Sequence, residues 1–131
     1  MRTPQELERF LRPLVDAGVD VFHCSQRRFW EPEFAGSDLN LAGWTKKLTG
    51  KPAITVGSVT LNEDVMTSFA ATGAADVTGI DSLLERLERD EFDLVAIGRS
   101  LIVNPTWPGI VRRGALDELR PFDRAVLGEL V

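Results

Sequence analysis

The sequence predicts an α/β chain in which short parallel strands alternate with capped helices. Buried-strand patterns recur near residues 19–24, 53–56 and 93–97. Helical stripes with start and stop signals lie between them. The resulting rhythm of helix, strand, helix, strand is that of βα units, whose crossovers set strands parallel. A chain of 131 residues, 44% hydrophobic and 27% charged, suits a single domain (1–131) with a modest core.

The first helix opens with Thr3 as N-cap, Pro4 as first helical residue and Glu6 as capping-box partner. Leu7, Phe10, Leu11, Leu14 and Val15 form its apolar stripe. Pro13 predicts a kink, and Gly18 a stop. Val19 to Cys24 reads as a buried strand, followed by a long loop from Ser25 to about Asn40. A helix covers about Leu41 to Leu48, and a second strand runs from Ala53 to Val56. Thr60 and Glu63 have capping-box spacing for a helix bearing Val65, Met66, Phe69 and Ala70, which Gly73 ends. Ala75 to Val77 reads as a short extended piece. Leu83, Leu84 and Leu87 mark another helix, Asp93 to Ile97 the third strand. The tail from Trp107 carries two short helices, divided near Gly114 and Pro121.

Composition narrows the function. A net charge of −5 shows no positive stripe for nucleic acid. A single cysteine, Cys24, excludes an intrachain disulfide and fits a reducing, cytoplasmic setting. No long apolar run or signal peptide is read, so no membrane partner is expected. His23 is the only histidine, which argues against metal clusters and most catalytic triads. No catalytic residue and no metal ligand is assigned.

Two strand ends carry the best chemical signal, Val56-Gly57-Ser58 and Ile97-Gly98-Arg99. Glycine permits close approach of backbone to a ligand. Amides at strand-to-helix turns can face phosphate oxygens, and arginine can clamp them. The plainer reading is two tight turns with Arg99 solvated. Cys24 and His23 are strand neighbours, so they point to opposite faces and form no dyad. Cys24 reads as core, and His23 as either lining the interior of the sheet or playing a structural or surface role. Asp16, Asp20, Asp76 and Asp93 read as solvated. Arg27 and Arg28 are expected to pair locally with Glu31 and Glu33. Phe29, Trp30 and Phe34 read as a loop facing a site mouth or forming a contact surface.

A longer pattern joins these pieces. Phe22 to Ser25, Arg28 to Phe34 and Ser37 to Thr45 resemble the sixth-strand region of the old yellow enzyme family. Thr55 to Val59 resembles its seventh strand. Asp93 to Arg99, followed by Asn104-Pro105, resembles its eighth. The resemblance implies a partial TIM (β/α) barrel corresponding to strands 6–8 with flanking helices. It implies FMN as cofactor, NAD(P)H as co-substrate and ene-reductase chemistry. It also implies that the first five strands are lacking, and with them the family's substrate-binding pair and proton-donating tyrosine; the sequence has no tyrosine. What carries over is the FMN-phosphate end at Gly57, Ser58, Gly98 and Arg99, with Ser25 toward the ribityl phosphate.

The expected function is thus an FMN-phosphate-binding portion of a reductase, inactive alone. The alternatives are a non-enzymatic remnant or self-associating interaction module, and a small phosphate-binding βα protein of unrelated chemistry. Three strands apolar on both faces expect cover on both sides. A homo-oligomer or a complementing chain is therefore the expected partner.

Overall fold

A computed structural model describes residues 1–129. Helix α1 spans Pro4–Asp16 and is capped by Thr3, whose hydroxyl accepts the Glu6 N–H at 3.2 Å. It runs through Pro13 and buries Leu7 and Leu11, while Phe10 and Leu14 stay exposed. The apolar stripe is therefore wider than the face the core uses.

Strand β1 spans Phe22–Ser25, later than the hydrophobic run suggests. The Val19 N–H turns back to the Leu14 carbonyl at 3.1 Å and closes α1. The ladder begins where the Phe22 N–H reaches the Pro52 carbonyl at 3.0 Å. Helix α2 (Leu41–Thr49) leads through Gly50, in the left-handed region, into β2 (Ala53–Val56). A short helix α3 (Val65–Thr67) passes into a π-helical turn, Ser68–Thr72, and then β3 (Ala74–Ala75). Helix α4 (Asp81–Glu88), β4 (Leu94–Val95), α5 (Arg99–Val103) and α6 (Trp107–Arg112) follow. Two 3-10 turns, Leu116–Glu118 and Arg124–Glu129, flank β5 (Phe122–Asp123). The cap before α3 is Asp64, not Thr60. Thr60 is fully buried in a loop with a left-handed backbone.

The main sheet has the order β1-β2-β4, all parallel. Phe22 pairs with Ala53 and Ser25 with Val56, while Ile54 pairs with Leu94. The tail adds a second sheet, with β5 antiparallel to β3. Neither sheet closes. The expectation of a partial TIM barrel is therefore corrected to a small mixed α/β fold with two open sheets. A barrel requires each strand to be paired on both sides, and here β1 and β4 are edges.

One face of the main sheet carries the core. Phe22, Cys24, Ala53 and Thr55 are buried there, and α2 packs against β1 and β2. Phe29 and Phe34, expected at a mouth or contact surface, instead join this core, with Phe34 edge-to-face on Trp44. The opposite face holds His23, Ile54 and Leu94 in register, and Leu94 is 57% exposed.

A buried ion pair pins the long loop. Arg86 Nη1 lies 2.8 Å from Glu91 Oε2 and also donates to the Asp38 carbonyl at 3.0 Å. Its Nη2 donates to the Trp30 carbonyl at 3.3 Å. Asp93 is exposed, as expected, and also accepts from Ala53 N–H at 2.9 Å and from Lys46 at 2.9 Å. Arg86→Ala should lower unfolding stability by about 3 kcal/mol, because it leaves Glu91 buried with Arg89 alone. Urea unfolding monitored by tryptophan fluorescence checks this; a loss below about 1 kcal/mol would show the pair to be dispensable.

Candidate functional site

The site is a cavity of about 250 Å³ at the carboxyl ends of the three parallel strands. Gly57 makes it possible. A Cβ there would lie 2.7 Å from the Gln26 carbonyl oxygen and 3.0 Å from the Phe29 nitrogen. The segments after β1 and β2 thus touch backbone to backbone. They are joined by Gln26 N–H to the Val56 carbonyl at 3.1 Å and Phe29 N–H to the Gly57 carbonyl at 3.0 Å.

Ser58 follows with φ +53°, a left-handed conformation unusual for serine. Its hydroxyl lies 2.9 Å from both the Arg27 and the Glu63 carbonyl oxygens, which holds the turn in place. Below it, Ser100 Oγ donates to the Val59 carbonyl at 2.9 Å and lies 2.8 Å from Thr60 Oγ1. The Trp107 indole N–H donates to Thr60 Oγ1 at 3.1 Å. This buried hydroxyl set seats the loop on α5 and α6.

Arg99 is the principal charge of the cavity. Nη2 donates to the Glu63 carbonyl at 2.6 Å and to Ser58 Oγ at 3.2 Å, and Nη1 donates to Ser68 Oγ. The Phe122 ring lies 5.7 Å from the guanidinium carbon. Among the described residues Arg99 makes no ion pair. Burial draws it below its ordinary pKa, an effect that the negative charges of Asp64 and Glu63 oppose; an arginine in this setting stays protonated.

The neighbouring carboxylates belong to a different cation. Arg28 lies 3.0 Å from Glu31, 3.0 Å from Asp64 and 3.6 Å from Glu63. Asp64, 2% exposed, caps α3 through the Met66 and Thr67 N–H groups. Those backbone bonds, with the Thr67 hydroxyl and Arg28, hold its carboxyl below the usual range.

The structure brings all five sequence-predicted residues, Ser25, Gly57, Ser58, Gly98 and Arg99, to the same cavity. It adds Arg27, exposed at the rim and outside any ion pair among the described residues, where local pairing with Glu31 and Glu33 was expected. Arg28 does pair with Glu31, while Glu33 lies 3.4 Å from the Gln26 amide nitrogen. Ser68, Thr60 and Ser100 were missed as site residues: Ser68 reaches Arg99 across 31 residues of sequence, while Thr60 and Ser100 lie close to Ser58 and Arg99 in sequence and are joined to each other only by the fold. His23 is exposed on the bare face and does not line the cavity. Cys24 is buried, and burial pushes its thiol up, so it is a packing residue. Among the described residues no group of three or more His, Cys, Asp or Glu side chains could hold a metal ion. No described helix is long and apolar enough to cross a membrane.

Comparison with protein-family models and with curated proteins returns no match. The resemblance to the old yellow enzyme family is thereby corrected, and the open sheets independently remove its barrel. The flavoprotein, oxidoreductase and truncated-barrel descriptions that rested on it fall with it.

Gly57→Ala should displace the crossing of the two loops and destabilise the chain by at least about 1–3 kcal/mol, because the obstructing atoms are backbone. Chemical denaturation of this variant is the check; wild-type stability would mean that the crossing yields freely. Acid should act through Asp64 and Asp93, both lowered, Asp93 first by its bond from the Ala53 N–H. A lowered native pKa gives stability that is complete above about pH 4 and lost as pH falls through the native value. The thermal midpoint should therefore drop below about pH 4. Asp64→Asn should melt lower at neutral pH and show a shallower acid decline; an equal decline would place the acid sensitivity elsewhere.

Proposed function

We propose that the cavity at the strand ends binds the phosphate group of a small organic phosphate. The supporting observation is Arg99, a half-buried guanidinium held by neutral oxygens and outside any ion pair among the described residues. Such a cation gains from an incoming anion, since its charge is partly desolvated and only distantly opposed by Asp64 and Glu63. Guanidinium has five N–H donors, and the three bonds to Ser58, Ser68 and Glu63 leave two of them without a partner among the described residues. Arg27 adds a second positive charge at the rim, and Ser25 an exposed hydroxyl at the end of β1. The held geometry favours an oxyanion with several acceptor oxygens, which phosphate supplies.

FMN carries such a group, and its phosphate suits this donor set. Arg99 would hold the phosphate, with Arg27 and Ser25 beside it. The function on this reading is binding and positioning.

FMN and riboflavin differ by the phosphate and make the sharpest pair of probes. In fluorescence titrations FMN should bind and riboflavin should bind far more weakly. Arg99→Gln should weaken FMN roughly 10- to 100-fold, the range for one charge-assisted hydrogen-bonded contact. Equal binding of the two flavins, or an Arg99→Gln variant that binds FMN unchanged, would overturn the proposal.

A further inference from the structure

We infer that the body of the phosphate ligand is apolar and lies on the bare face of the parallel sheet, across Ile54 and Leu94. This inference rests on the phosphate reading above and names the class of ligand that reading leaves open.

The cavity and the bare face are continuous. Val56 and Ala96 line the cavity beside Arg99. Two residues before them are Ile54 on β2 and Leu94 on β4, in register with each other and with His23; Ala96 directly follows β4, and its N–H donates to the Thr55 carbonyl at 2.8 Å. Alternation along a strand sets residues two apart on one face. The rows are about 7 Å apart, so a ligand anchored at Arg99 reaches the second row with a short spacer and one ring system.

That face is mainly apolar and favours an apolar body. Its rows hold isoleucine, valine, leucine and alanine, with His23 and Ser25 at the β1 margin. A sugar phosphate or a polyphosphate laid there would lose hydration and find few partners, which is unfavourable. A planar or aliphatic body would instead remove Leu94 from water. A second copy of the chain is the competing occupant, and the net charge of −5 on each copy opposes it. An amphiphilic phosphate monoester is matched both to the guanidinium and to the apolar rows.

The test uses Leu94→Ser, at a position exposed enough to change without unfolding the chain, and Ile54→Ser as a second variant. Inorganic phosphate and FMN are the probes, with affinities measured by calorimetry and light scattering run alongside. In the wild type FMN should bind at least about tenfold tighter than inorganic phosphate. Leu94→Ser should weaken FMN roughly three- to tenfold and leave inorganic phosphate unchanged. If wild type binds both probes equally, or if both variants bind FMN as wild type does, the inference fails while phosphate binding stands. If Leu94→Ser turns an oligomer into a monomer and leaves FMN affinity unchanged, the face belongs to a second copy and the inference is overturned. If wild type binds neither probe, the phosphate reading and the inference fall together.

Discussion

The backbone crossing at Gly57 is the constraint on which the site depends. A side chain there would lie 2.7 Å from the Gln26 carbonyl oxygen. Without that approach, the segments after β1 and β2 could not exchange the two hydrogen bonds that seat them side by side. Ser58 then takes its left-handed turn, directs its hydroxyl between two carbonyls and presents that oxygen to Arg99. The position of the half-buried Arg99 is thus set by the single residue type that has no Cβ.

Charge is divided unequally on the two sides of this loop. Arg28 collects the carboxylates Glu31, Glu63 and Asp64, and Asp64 is also the cap of α3. Among the described residues Arg99 hydrogen-bonds the Glu63 carbonyl and two hydroxyls and no carboxylate. One arginine is therefore structural, with its charge neutralised where it stands. The other keeps a partly desolvated charge that only solvent and more distant carboxylates balance, which is the electrostatic condition for holding an anion.

The sheet is finished on one side only. Asn40, fully buried, shows how firmly. Its amide nitrogen donates to the Phe29 carbonyl at 2.8 Å and to Thr55 Oγ1 at 3.0 Å, and its Oδ1 accepts the Gly43 N–H at 2.8 Å. One side chain thus joins the long loop, the start of α2 and the middle strand. Among the described residues no equivalent clamp reaches the row of His23, Ile54 and Leu94. The tail packs its Phe122 into a second small core with Leu61, Ala75 and Val103 instead of folding over that row.

Local patterns determined several elements: Thr3 and Pro4 start α1, Gly50 ends α2, and the runs at 53–56 and 93–97 contain parallel strands, the second shortened to Leu94–Val95. The glycine, serine and arginine of the two strand ends were also legible, because a residue's place at a strand end depends on its immediate neighbours. Tertiary structure decided the rest. Whether the strands close or stay open depends on which edges find partners, and a resemblance of short segments to a barrel family carries no information about that. Whether Phe29 and Phe34 face solvent or the core depends on α2 and the sheet lying above them. Whether Arg27, Arg28 or Arg99 keeps an unpaired charge depends on carboxylates up to 36 residues away in sequence, and the energy of a charge is fixed by what surrounds it in space.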